Sequence, residues 1–144
     1  MSRARNIENK PLEGKIISDG IEIAYLDWQA TGEACDNLLV LHPNGFCAGM
    51  FDPVARLLSE NYRVVGVDLR GHGASEEVLD EADLGNDLMA SDVLKVMDSL
   101  RVDSFSILGV SLGGAIAIEI AAMAPEKVEV LMLCEAIAMN FDSR

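Results

Sequence analysis

Basic residues are scarce. Eleven Lys and Arg stand against 24 Asp and Glu in 144 residues, a formal net charge of −13. That balance excludes nucleic acid, or an anionic membrane, as a partner bound through a basic surface; its plain use is solubility. Cysteine is scarce too: Cys35, Cys47 and Cys134 are odd in number and widely spaced, with neither metal nor redox spacing. Cys134 lies in an apolar run and is expected in the core. No uncharged apolar stretch reaches membrane-spanning length, because Glu119 and Glu126 break the longest candidate. Met1 to Gly14 lacks the apolar centre of a signal peptide, so a reducing cytoplasm is the expected location. Histidine is limited to His42 and His72, and none follows His72.

What is present is a core. Half of the residues are hydrophobic, which excludes disorder and suffices for one domain. Lys15 to Ser18 and Ile21 to Leu26 are alternating runs around Asp19-Gly20, the pattern of a hairpin. Trp28 to Asn37 reads as a polar connection. Leu38 to Leu41 and Arg63 to Val67 are continuous apolar runs, as in strands covered on both faces. Between them Phe51 to Ser59 reads as a short helix with Val54, Leu57 and Leu58 on one face. Asp83 to Leu100 has helical spacing, with Asp87, Asp92, Lys95 and Asp98 directed away from the apolar stripe. Phe105 to Leu108 is a buried strand, Leu112 to Met123 a nearly all-apolar helix stopped by Pro125, and Val128 to Leu133 a last strand. A hairpin followed by alternating strands and helices predicts an α/β fold: a mostly parallel sheet with helices on both faces.

Three segments carry chemistry. Gly109-Val110-Ser111-Leu112-Gly113 stands between a strand and a helix, where a Ser between two glycines forms a nucleophile elbow. The turn lifts the hydroxyl clear of the sheet, at a helix N-terminus whose free N–H groups suit an oxyanion. Two other readings compete: a tight turn with a filler Ser, and a dinucleotide-binding turn with Glu135 as the ribose acid. The dinucleotide spacing is wrong, because Ser111 occupies the position of the glycine that admits a pyrophosphate. His42-Pro43-Asn44-Gly45-Phe46 ends the first parallel strand. Leu112 and Asn44 are the candidate oxyanion donors, Pro43 having no N–H, and an ordinary Asn-Gly turn is the alternative for Asn44. Asp68-Leu69-Arg70-Gly71-His72-Gly73-Ala74-Ser75 is a Gly-hinged loop whose His72 is either a base or, more in keeping with such loops, structural. Phe46, Met50 and Phe51 either line an apolar pocket or pack the neighbouring helix.

Together these segments resemble the α/β-hydrolase family. Its pattern is a His-Gly-type loop after the third strand, Asp-x-Arg-Gly-x-Gly-x-Ser after the fourth and Gly-x-Ser-x-Gly after the fifth. The resemblance runs from about Gly14 to Asn140. It implies Ser111 as nucleophile in an ester, lactone or carbon–carbon bond hydrolase, a small-molecule substrate, and no cofactor or metal. It also implies an eight-stranded sheet, a late Asp or Glu and a His near the C-terminus. Branches with an Asp nucleophile do not match Ser111.

The sequence departs from the family at Pro43, where Gly is usual, and at its end. It stops shortly after the sixth strand, so a flexible arm over 1–13 and a truncated domain over 14–144, with about six of eight strands, are expected. Glu135 is either the acid or a solvated strand-end carboxylate. With the family His absent, low activity is expected of the chain alone, and a non-catalytic domain binding a small molecule or a partner is the alternative. The edge left at 128–133 invites self-association or a complementing chain.

Overall fold

A computed structural model describes residues 9–33 and 36–136. Asp19 and Gly20, at φ +48° and +85°, join strands β1 (Leu12–Ser18) and β2 (Ile21–Trp28). Two left-handed residues suit the twist of a two-residue hairpin, which is why Asp-Gly occupies it. Strands β3 (Asp36–Leu41), β4 (Tyr62–Val67), β5 (Phe105–Val110) and β6 (Val128–Cys134) run parallel, and β2 joins them antiparallel to β4. The sheet has six strands in the order β1-β2-β4-β3-β5-β6, so the predicted mostly parallel sheet with an antiparallel hairpin is what forms.

Alternation along the apolar runs divides the core into two layers. Leu39, Leu41, Val65, Val67 and Ile107 face helices α2 (Asn86–Ser99) and α3 (Leu112–Met123), packing with Val93, Val96, Ile116 and Ile120. Leu38, Val40 and Val64 face the opposite way, toward Phe51, Trp28 and Ala55 of helix α1 (Asp52–Leu58). The predicted helices on both faces are present.

Several local expectations need correction. Trp28 is not part of a polar connection: it ends β2 fully buried, and its Nε1–H donates to Asp52 Oδ1 at 2.9 Å. The helix predicted from Asp83 is a 3-10 turn over Glu81–Leu84 followed by α2, because Gly85 is extended between them. On α1, Ala55 faces the sheet, and Val54 and Leu57 are 41% and 50% exposed. Asp92 is buried, not turned outward. Cys134 is exposed, because β6 is the edge strand and lies open on both faces. Residues 1–8 of the predicted arm lie outside the described residues. Of the rest, Asn9 donates from Nδ2 to the Gln29 carbonyl and to Ser59 Oγ, both at 2.9 Å, and Leu12 and Glu13 belong to β1.

Candidate active site

Strand register brings the three motifs to one edge. Leu41 pairs with Val67 on one side and with Gly109 on the other, and Val110 pairs with Cys134. The loops leaving β4, β3, β5 and β6 therefore emerge side by side at the C-terminal ends of the parallel strands, the end where open α/β sheets bind ligands.

Ser111 caps α3 in a conformation that L-residues avoid, φ +52° and ψ −113°. Backbone bonds on both sides hold it there. Its N–H donates to the Cys134 carbonyl at 2.9 Å, and its own carbonyl accepts from the N–H groups of Gly114 (2.9 Å) and Ala115 (3.2 Å). The bend demands small neighbours: a Cβ on Gly109 would lie 2.5 Å from the Gly113 carbonyl oxygen, and one on Gly113 would collide with the Leu41 carbonyl. The Ser111 side chain makes no capping bond and the residue is half-buried.

Leu112 opens α3, so its N–H belongs to the unpaired first turn of a helix. Among the described residues, neither that N–H nor that of Asn44 is spent on another backbone group. Gly113 lies against the carbonyls of Leu41 and His42, which sets the loop carrying Asn44 beside the start of α3. The arrangement can direct two N–H groups toward charge developing next to Ser111.

His42 controls the Asn44 side of this pair. It is fully buried, and burial pushes its pKa down, with the neighbouring His72 adding to the effect. The Leu69 N–H donates to His42 Nε2 at 3.0 Å, so the single proton of the neutral ring sits on Nδ1. Nδ1–H then donates to the Pro43 carbonyl at 2.8 Å, which also accepts from the Phe46 N–H at 3.2 Å. A trans peptide carries its C=O and N–H on opposite sides, so fixing the Pro43 carbonyl aims the Asn44 N–H. Both ring nitrogens of His42 are thereby occupied.

The loop after β4 holds itself down with its own polar groups. Asp68 accepts from the N–H groups of Ala48 (2.7 Å) and Ala74 (2.8 Å), and Ser75 Oγ donates to the Asp68 carbonyl at 2.5 Å. Arg70 makes a two-point pair with Asp92, Nε to Oδ2 at 2.7 Å and Nη2 to Oδ1 at 2.8 Å, while Nη1–H donates to the Asp83 carbonyl. Ser18 Oγ donates to the same carboxylate at 2.5 Å, joining the hairpin to the loop. The hydrogen bond to Asp92 raises the Arg70 pKa further. His72 is held between two groups: Nδ1 lies 3.0 Å from the Arg70 carbonyl and Nε2 3.0 Å from Asn44 Oδ1, and a neutral ring that donates from Nδ1 to the carbonyl accepts at Nε2 from the Asn44 amide once that amide is turned about.

Of the remaining candidates, Glu135 is exposed at φ +52° directly after β6. The strand pairing and the Ser111-to-Cys134 bond bring it next to the Ser111 turn. Phe51 packs the core, while Phe46 and Met50 are 56% and 41% exposed. Sequence reasoning missed Asp92 and the His42 clamp. Asp92 left a signal, since 89-92-93-96 is the buried stripe of α2 and Asp92 stands on it. The His42 clamp left none, because Leu69 is 27 residues away. Among the described residues no group of three His, Cys, Asp or Glu could hold a metal ion, and no helix is long and apolar enough to cross a membrane.

Comparison with known proteins agrees with the fold. The model of the alpha/beta hydrolase fold matches residues 36–144. A pimeloyl-[acyl-carrier protein] methyl ester esterase of Nitrosomonas europaea is 38% identical over 112 residues, covering 77% of this chain and 41% of that protein. 3-Oxoadipate enol-lactonase 1 of Acinetobacter baylyi is 39% identical over 70 residues, 49% of this chain and 25% of the lactonase. The crystal structure of a membrane phospholipase A, a bacterial virulence factor, superposes with a TM-score of 0.82 at 30% identity, covering 97% of this chain and 44% of that one. The chain thus spans less than half the length of each of these three proteins.

Proposed function

The chain belongs to the alpha/beta hydrolase fold family, and from that premise we propose that it carries the nucleophile and oxyanion half of a serine hydrolase site. Its substrate class is a small-molecule ester, lactone or carbon–carbon bond. The observation that supports this best is Ser111 at positive φ between a strand and a helix, with the N–H of Leu112, next in the chain, free of any backbone partner among the described residues. Ser111 Oγ attacks the substrate carbonyl carbon, and the negative charge passes to the carbonyl oxygen. The N–H groups of Leu112 and Asn44 receive that charge. Glu135, beside the turn, is the candidate acid that would orient a histidine.

Neither histidine of this chain serves as the base in this reading. The His42 lone pair is taken by the Leu69 N–H, and both nitrogens of His72 are taken up by the Arg70 carbonyl and the Asn44 side-chain amide. A base has to come from outside these 144 residues. Losing the histidine of a serine triad costs on the order of 10⁶ in turnover. Binding and an oxyanion site alone leave roughly 10³ to 10⁴ over water. The chain by itself is therefore a slow hydrolase.

A second reading, a binding domain without catalysis, draws on the same occupied histidines. Hydrolysis of p-nitrophenyl acetate by the 144-residue chain and by Ser111→Ala separates the two. A slow acyl release that Ser111→Ala abolishes supports the hydrolase. Equal rates in both proteins support the binding domain.

A further inference from the structure

We propose that His72 is a positioning residue for Asn44, acting through the Asn44 side chain; this rests on the reading of the Asn44 N–H as an oxyanion donor. His42 and Phe46 fix the peptide plane on the Pro43 side of Asn44. The other side is loose, since Asn44 is exposed and the following Gly45 is left-handed at φ +79°. The His72 ring ties down that side. Its Nε2 lies 3.0 Å from Asn44 Oδ1, bridging two loops 28 residues apart in sequence.

The ring is itself anchored. Nδ1 lies 3.0 Å from the Arg70 carbonyl, and Arg70 is gripped by the buried Asp92. The ring also packs against His42, with centroids 5.1 Å apart and planes inclined at 54°. A continuous path thus runs from Asp92 through Arg70 and His72 to Asn44, and it ends on the side chain of the residue whose N–H is in question. Asp68 ties the same two loops at their base through the Ala48 N–H, so the His72 bond acts as the second point of a two-point attachment. Two points resist rotation where one does not, and misplacing a catalytic group by about 1 Å costs about 10²-fold in rate.

The test uses the 144-residue chain with His72→Ala, His72→Gln, Asn44→Ala and the His72→Ala/Asn44→Ala double variant. Acylation by p-nitrophenyl acetate is resolved into kcat and KM, and the Asn44 backbone amide is followed by ¹⁵N NMR. His72→Ala and Asn44→Ala should each lower kcat by about ten- to a hundredfold with KM unchanged. The double variant should lose no more than either single, and His72→Gln, whose amide can still hydrogen-bond the Asn44 side chain, should recover part of the loss. The Asn44 amide signal should shift in His72→Ala. Losses that multiply in the double variant, or a kcat and an amide signal both unchanged, would overturn the proposal. If Ser111→Ala reacts like the unmodified chain, the hydrolase reading fails. The amide signal then decides alone: a shift upholds the His72 tether and no shift overturns it. Should His72→Ala not fold, His72→Leu, which fills the space without a polar group, gives the same two readouts.

Discussion

Gly113 lies so close under the end of β3 that a methyl in place of its α-hydrogen would collide with the backbone carbonyl oxygen of Leu41. This single approach joins the Ser111 turn to the loop carrying Asn44. Backbone cannot swing aside as a side chain can, so the separation of the two candidate oxyanion donors is set by main-chain packing.

Gly113→Ala should therefore destabilise the fold by about 1–3 kcal/mol through overpacking and move Leu112 relative to Asn44. Gly45→Ala is the control. No atom lies within 4 Å of its would-be Cβ, and only the left-handed φ of +79° opposes the change, a cost of about 1–2 kcal/mol. Urea denaturation measures both. Ser111-dependent acylation should fall more in Gly113→Ala than in Gly45→Ala.

The Arg70–Asp92 pair predicts strong coupling. Both side chains are almost wholly buried, so removing one strands the other. Arg70→Met or Asp92→Leu alone should cost about 3–5 kcal/mol, and the double variant much less than their sum. A double-mutant cycle in urea reads this directly. Simple additivity would show that the pair is not coupled.

His42 predicts a loss of stability on mild acidification. Burial lowers its pKa in the folded chain, so as pH falls the unfolded chain takes the proton first. The contribution is whole above the ordinary imidazole value of about 6.5 and is lost as pH falls through the lowered folded value. Urea midpoints should drop as pH falls below about 6.5, and His42→Gln should flatten that dependence. Asp19 and Asp52, whose pKa values are lowered in part by Lys95 and Arg56, act only below the ordinary carboxylate range, about pH 4.

Strand β6 predicts self-association. It is the terminal strand of the sheet, and Val130, Leu131, Met132 and Leu133 are each at least 36% exposed. Unpaired apolar edges template further pairing, and an edge lysine blunts it. Light scattering should show mass rising with concentration, and Met132→Lys should suppress the rise. A monomer at high concentration in both would contradict the expectation.

Much of this protein was legible locally. The glycines around Ser111 follow from the steric needs of a sharp turn, and the continuous apolar runs follow from burial on both faces. Asp19-Gly20 announces its hairpin because only certain residues accept two successive left-handed conformations. Val54 and Leu57 misled because helical spacing gives a face but not what covers it. Asp92 misled because charge was taken to outweigh position, when a buried partner reverses that order. Cys134 misled because an apolar strand reads the same whether it lies inside the sheet or at its edge.

The sequence by itself determined the elements, their order along the chain and the bend at Ser111, since each depends on contacts within a few residues. Only the tertiary structure decided that β4 enters between β2 and β3, that His42 meets Leu69, that Arg70 meets Asp92 and that His72 meets Asn44. Those partners are separated by more than twenty residues. Which of them touch is settled by the order in which strands pair, a long-range choice that no local pattern of residues encodes.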